Sequence, residues 1–137
     1  MKRIAIIAAA ISLGLLTQST SCRKTGTTEC GDIACTMMFA MITVEVKDNM
    51  GRPVKLDEYY TLRDKTGEKL VMQALAADSG QYTVIDDSYI NTLKNKSELF
   101  RFVGKKNGVE VINEPYEVEG DCCHVSRKSG KTSITLP

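Results

Sequence analysis

The sequence predicts an all-β protein, an antiparallel β-sandwich of seven or eight short strands preceded by a signal peptide, and three observations lead to that prediction. Short β-prone runs follow one another at close intervals, Gly-, Asn- and Pro-bearing turns separate them, and helical periodicity is almost absent beyond the leader. Residues 22–137 number 116, enough for one domain with its own core.

The leader comes first. Lys2 and Arg3 give a positive amino end, and residues 4–16 (IAIIAAAISLGLL) form an apolar run of 13 residues broken by Ser12 and Gly14. These are the n-region and h-region of a secretion signal, shorter than the roughly 20 apolar residues that a spanning helix needs. The stretch TQSTS leads to Cys22. The arrangement resembles a bacterial lipoprotein signal, with the small residues Thr20 and Ser21 before the cysteine. Ser19 stands where leucine is usual, as in the looser Bacteroidetes-type signals. The resemblance implies lipidation at Cys22 and a place in the cell envelope, extracytoplasmic and anchored to the outer or inner membrane. The competing reading is a plain secreted chain cleaved near Ser21. Parity favours lipidation, because removing Cys22 from five cysteines leaves four, an even set for an oxidising compartment. The chain thus divides into a lipoprotein signal peptide (1–21), a short polar tether (22–29) and the β-sandwich domain (30–137).

Losing Lys2 and Arg3 from 18 Lys and Arg leaves 16 against 17 Asp and Glu, a balance of minus one. There is no basic stripe, which disfavours nucleic acid as a partner. No second apolar stretch is long enough to cross a bilayer, so the lipid is the expected membrane attachment.

Within the domain, 37–47 (MMFAMITVEVK) reads as a strand that starts buried on both faces and ends with one face wet. A turn over 48–53 (DNMGRP) closes it. Strands are expected at 54–63, 69–74 and 81–85, separated by Gly-bearing turns. Asp87 or Ser88 is placed to cap a short helical crossover over 89–94. The strands 99–103 and 109–112 flank Asn107-Gly108, a type I′ hairpin signal. Pro115, which cannot donate to a ladder, is expected to interrupt or bend the returning strand before 116–119 resumes it. The strands 122–127 and 132–136 are expected to form a final hairpin around KSGK.

The stretch VEVKDNMGRPV, 44–54, resembles the opening of carboxypeptidase-regulatory-like and transthyretin-like domains, where a strand runs into an Asp, a Gly-x-Pro turn and a second strand. The resemblance spans some thirty residues and implies an Ig-like (transthyretin-like) arrangement. Lys55 and Leu56 stand where those domains often carry a small apolar pair. The whole chain also resembles small Bacteroidetes-type lipoproteins of unknown function, which implies a location and no activity.

Cys30 and Cys35 precede the first strand, and Cys122 and Cys123 open the penultimate one. Neighbouring side chains in an extended segment point to opposite faces, so Cys122 and Cys123 should bond to different partners. Two cross-linking disulfide patterns remain, and nesting in an antiparallel arrangement prefers Cys30 with Cys123 and Cys35 with Cys122. A zinc site from these four and His124 is the alternative, but three successive ligands cannot share one side of a strand. No metal or cofactor is expected.

Among groups with catalytic chemistry, His124 is the sole histidine. It is read as a surface or edge residue, because Ser126, two residues along a strand, lies too far for proton transfer. The acids Asp57-Glu58, Asp86-Asp87, Asp32 and Asp121 are read as turn and strand-end residues. Paired carboxylates for glycoside hydrolysis or calcium are the sharper alternatives. Tyr59, Tyr60, Tyr82, Tyr89 and Tyr116 suit core packing more than a ligand groove, since the chain has no tryptophan. Asn95-Lys96-Ser97 matches a glycosylation acceptor by accident in such a precursor. The functional expectation is a noncatalytic envelope lipoprotein acting as a protein-interaction or accessory module. A carbohydrate or small-ligand binder is the alternative, and an enzyme using His124 or the acid pairs comes third.

Overall fold

The computed structural model describes residues 30–73 and 77–137. The signal peptide, Cys22 and the tether lie outside the described residues. Eight strands are present: β1 (Met41–Asp48), β2 (Glu58–Arg63), β3 (Glu68–Leu70), β4 (Gln81–Asp86), β5 (Lys96–Lys106), β6 (Val109–Gly120), β7 (Val125–Ser129) and β8 (Ser133–Leu136). They form a three-stranded sheet of order β4-β1-β8 and a five-stranded sheet of order β3-β2-β5-β6-β7. The two sheets enclose one core, which makes the protein an all-β sandwich.

Period-2 alternation builds that core. Ile42, Val44 and Val46 on β1 and Tyr82 and Val84 on β4 pack against Phe100 and Phe102 on β5 and Tyr116 and Val118 on β6. Each of these side chains is almost wholly removed from water, and burying one of this size contributes about 1.5–3 kcal/mol. The polar groups carried inward all have partners. The Thr61 hydroxyl donates to the Val84 carbonyl at 2.5 Å, and the Tyr82 hydroxyl accepts from Leu56 N–H at 2.7 Å while donating to Val54 O at 3.0 Å. Tyr82 therefore fixes the segment leading into β2 as well as filling the core. Burial raises its phenol pKa, which keeps the donor protonated.

The β5–β6 hairpin turns at Asn107 and Gly108, whose φ angles of 52° and 74° are both in the left-handed region that the type I′ turn requires. The turn after β1 also forms at the expected residues: the Asp48 carboxylate accepts from Met50 N–H and Arg52 N–H, each at 2.9 Å.

Four expectations need correction. Pro115 does not interrupt β6, which runs unbroken and pairs Pro115 opposite Arg101. The reason is that β7 pairs with β6 only from Glu117 onward, so a nitrogen with no hydrogen to give faces an unpaired flank. The last two strands are not a hairpin: β7 joins β6 in the larger sheet, while β8 crosses to the smaller sheet and pairs with β1 in parallel. Residues 37–40 are not strand, and Met37, Met38 and Phe39 are exposed rather than buried. The short crossover, a 3-10 turn Asp87–Tyr89 followed by the single-turn helix α1 (Ile90–Leu93), is capped by Asp86, whose carboxylate accepts from Ser88 N–H at 2.9 Å. Neither Asp87 nor Ser88 is the cap, and Asp87 is thereby released for a longer reach.

The sheet switch depends on Gly130. Its φ is +115°, and a Cβ there would collide with the Tyr116 ring, whose hydroxyl donates to Lys131 O at 2.6 Å. Strain of this kind costs about 1–3 kcal/mol and overpacking a core ring about as much again. Gly130→Ala is therefore expected to lower the unfolding free energy by about 3 kcal/mol or more. Gly108→Ala, at φ +74° with open space around it, should cost only about 1–2 kcal/mol. Urea unfolding of both variants checks the order, and equal midpoints would remove the role given to the Tyr116 crossing.

Candidate functional site

The strand directions give the sandwich two distinct ends. β1 starts at Met41 and finishes at Asp48, a run of eight residues or about 26 Å. The starts of β1, β5 and β7 and the end of β6 lie at one end. The β5–β6 hairpin tip, the turn after β1 and the end of β8 lie at the other.

The first end is built around the arm formed by residues 30–40. Disulfides join Cys30 to Cys122 and Cys35 to Cys123 across sequence separations of 92 and 88 residues. This is the other cross-linking pattern from the one preferred on sequence. The arm runs in the same direction as 122–125, so contacts follow in order. Cys30 meets Cys122, Cys35 meets Cys123, Thr36 meets His124, and Ala40 and Val125 share Asp87. Nesting needs opposed directions and does not occur. Cys122 and Cys123 stand in a bend ahead of β7, not in the strand. Asp121 makes the bend by accepting from Cys123 N–H at 2.6 Å and His124 N–H at 2.7 Å. These two bonds hold the Asp121 carboxyl below its ordinary pKa. Loops of this length correspond to about 4 kcal/mol for the first bond in the chain-entropy model, and less for the second.

Asp87 is the centre of this end. Its Oδ2 lies 2.7 Å from His124 Nδ1 and accepts from Ala40 N–H at 2.7 Å, and its Oδ1 accepts from Val125 N–H at 2.8 Å. His124 Nε2 lies 2.9 Å from the Thr36 hydroxyl. With the proton on Nδ1, the ring donates to Asp87 and accepts from Thr36. The Asp87 side chain is 8% exposed and the His124 side chain 25%. The structure thus brings together Thr36, His124 and Asp87, a hydroxyl, an imidazole and a carboxylate in hydrogen-bonded sequence. Spacing along the chain around His124 does not reveal this set, because its partners come from the arm and from the end of β4. The signal lay in the bonded cysteines, which bring residues 35–36 and 123–124 into contact. The recess of about 410 Å³ beside the set, lined among others by Met41, Thr43, Val125 and Arg127, contains none of the three.

The remaining candidates serve local structure. Asp57 accepts from Asn107 N–H at the hairpin tip. Glu58 pairs with Lys69 at 2.6 Å and Lys105 at 2.9 Å. Asp86 caps the crossover, and Asp32 is exposed on the arm. Tyr82 and Tyr116 are sealed in the core, and Tyr59 stands edge-on to Tyr82 with ring centroids 4.8 Å apart. Tyr60 has the Lys69 ammonium 3.9 Å from its ring centre, and Tyr89 packs against the core from its edge. The tyrosines are dispersed and form no shared platform. With all four domain cysteines oxidised, none is a thiolate ligand, and among the described residues no group of three His, Cys, Asp or Glu is placed to hold a metal ion.

The far end holds a recess of about 400 Å³ lined by Val54, Val111 and Leu136, with Asp48, Lys106 and Pro137 at its rim. Val109 and Met50 are exposed on the hairpin and turn next to it.

No family model matches the chain, and neither does any curated protein or solved structure with which it was compared.

Burial pushes the Asp87 carboxyl up, but the bonds from His124, Ala40 N–H and Val125 N–H outweigh it and leave the pKa below its ordinary 3.8. A carboxyl depressed on folding contributes stability that is present above its unfolded pKa and is lost as pH falls through the folded value. Thermal melts from pH 7 to pH 2 should therefore show a loss of stability below about pH 4. Asp87→Asn should cost about 1–3 kcal/mol at pH 7 and make that acid limb shallower, the remainder coming from other depressed carboxyls such as Glu98 and Asp121. An unchanged limb in the variant would mean that Asp87 does not carry it.

Proposed function

We propose that the chain is a noncatalytic, lipid-anchored module of the cell envelope that binds a protein partner through the far end of its sandwich. The leader and Cys22 motivate the location, and two disulfides in one small domain suit an oxidising compartment. The observation that carries the binding role is the recess between Val54, Val111 and Leu136. It is an apolar floor with a charged rim, flanked by Met50 and Val109, which have no packing task of their own. Interfaces of this kind have an apolar centre and a polar edge. The bound state removes Val109 and Val111 from water, while Asp48, paired with Arg52, and Lys106, which donates to Lys55 O, give the rim its polar edge.

A photo-crosslinking side chain at position 111, introduced into the full chain in native envelopes, should give a discrete adduct. The same group at Lys128 on β7 should not. Val111→Glu should abolish the interaction while costing no more than about 1 kcal/mol of stability, since the side chain is 39% exposed on a strand and outside the core. Equal adducts from both positions, or none from position 111, would count against the far end as the binding face.

A second reading is favoured by Thr36, His124 and Asp87. In an acyl-transfer hydrolase the Thr36 hydroxyl attacks a carbonyl carbon while His124 Nε2 takes its proton, and Asp87 orients the ring. The binding reading is preferred because the same three groups fasten the arm to the start of β7. Incubation with an activated aryl ester distinguishes the two. The preferred reading expects hydrolysis by the wild type no faster than by Thr36→Ala; a rate at least about 100-fold above that variant would establish the hydrolase.

A further inference from the structure

The arm offers an apolar surface that the domain does not use. Met37, Met38 and Phe39 are 104%, 75% and 58% exposed, with Ile33 and Met41 also open to solvent. Loose termini often carry such residues in passing, but this segment is not loose. Both disulfides, the Thr36–His124 bond and the Ala40–Asp87 bond hold it against the sandwich. A fixed apolar surface presents the same side chains to whatever covers it.

We infer that residues 33–41, together with Lys94 and Lys96, form a surface that rests on the lipid bilayer. The inference builds on the proposed lipid at Cys22. Cys30 follows that residue by eight positions, so the start of the arm lies within about 29 Å of the anchor even with the chain fully extended. An acyl-bearing residue this close keeps the arm at the membrane. Interfacial helices bury side chains such as Phe and Leu at the level of the headgroups and place Lys or Arg beside them, and a non-helical segment held rigidly can present the same chemistry. That pattern is present here. Asn95 Nδ2 donates to Cys30 Sγ at 3.4 Å, which brings its exposed chain neighbours Lys94 and Lys96 to the end of the sandwich that carries the arm. Both lysines are exposed, and although Glu98 feels the Lys96 charge, neither ammonium is held in an ion pair among the described residues, so both are accessible to anionic headgroups. The acidic groups at this end are Asp32 on the arm and Glu119 and Asp121, which line a recess together with Asn95 and Lys96. The N–H groups of its own bend keep Asp121 ionised, so the lysines offset local negative charge and the apolar side chains supply most of the contact. With this end on the bilayer, the recess at the far end points away from it.

The sequence contains no tryptophan, so a single introduced one reports its own surroundings. The full chain, carried through export and purified from membranes, would be placed in vesicles of phosphatidylethanolamine and phosphatidylglycerol, with and without brominated lipid. The F39W chain is expected to show blue-shifted emission and to lose about half or more of it to bromine, as a ring at headgroup depth should. V109W, at the far end, should keep the emission of a tryptophan in water. An acylated, vesicle-bound chain whose F39W emission ignores brominated lipid overturns the bilayer surface and leaves the anchor standing. A blue shift without quenching would mean that a second copy or another protein covers the arm, and would overturn it too. A chain without acyl mass that stays in the supernatant overturns the anchor and this inference with it.

Discussion

Asp87 stands one residue past the end of β4, a strand of the smaller sheet, yet its carboxylate accepts hydrogen bonds from β7 in the larger one, from the arm and from His124. A buried carboxylate is costly unless several donors surround it. Here the three donors come from two segments far apart in sequence, the arm at Ala40 and the adjacent pair His124 and Val125, so the charge is fully solvated by protein only when both have arrived at the end of β4. That requirement ties the two sheets and the arm at one end of the sandwich. The disulfides act on the same segments from the other direction, by restricting the unfolded chain. One constraint acts in the folded state and the other in the unfolded state, and both fix the registration of 35–40 against 123–125.

The larger sheet depends on side-chain polar bonds of a different kind. Arg63 grips Glu98 with Nε at 2.6 Å and Nη2 at 2.9 Å, joining β2 to β5 near the end that carries the arm. The guanidinium holds the Glu98 carboxyl below the ordinary range. This pair is partly shielded, with side chains 15% and 8% exposed, and its two parallel bonds make it more specific in geometry than the surface pairs. Glu58, placed between Lys69 and Lys105, is open to solvent and contributes little by comparison.

The alternation of apolar residues made the strands legible, and Asn107-Gly108 made the central hairpin legible, because both signals are local. What escaped was non-local. Nothing in KSGK announces that Gly130 passes over the Tyr116 ring, since the ring that forbids a hairpin there is fourteen residues away. The MMF run looks like strand by composition, and its exposure follows from Ala40 N–H being taken by a side chain of another segment instead of by a ladder. The pairing of the four cysteines was legible as a cross-link but not in its order, because order depends on whether two segments run together or opposed. His124 looked isolated for the same reason. Its partners come from the arm and from the end of β4, and sequence distance of 88 and 37 residues conceals them.

The two ends of the molecule follow from this tie. A strand that begins under a covalently pinned arm must end at the opposite face, and β1, β5 and β8 all finish there. The apolar groups exposed at the pinned end lie between Thr36 and Ala40, both of which are hydrogen-bonded to the sandwich, so the backbone that carries them is restrained. At the far end Val109 follows a hairpin tip with two left-handed residues, and Met50 sits in the turn held by the Asp48 carboxylate, so both are carried on restrained backbone. Rigidity at both sites lowers the entropy lost when either surface is covered. A domain of about one hundred residues that keeps Met37, Met38 and Phe39 in water at one end and Met50 and Val109 at the other is stable as a folded unit through its core. Its outward apolar groups do not serve that core. Their placement at opposite ends allows the two surfaces to be covered together without competing for space.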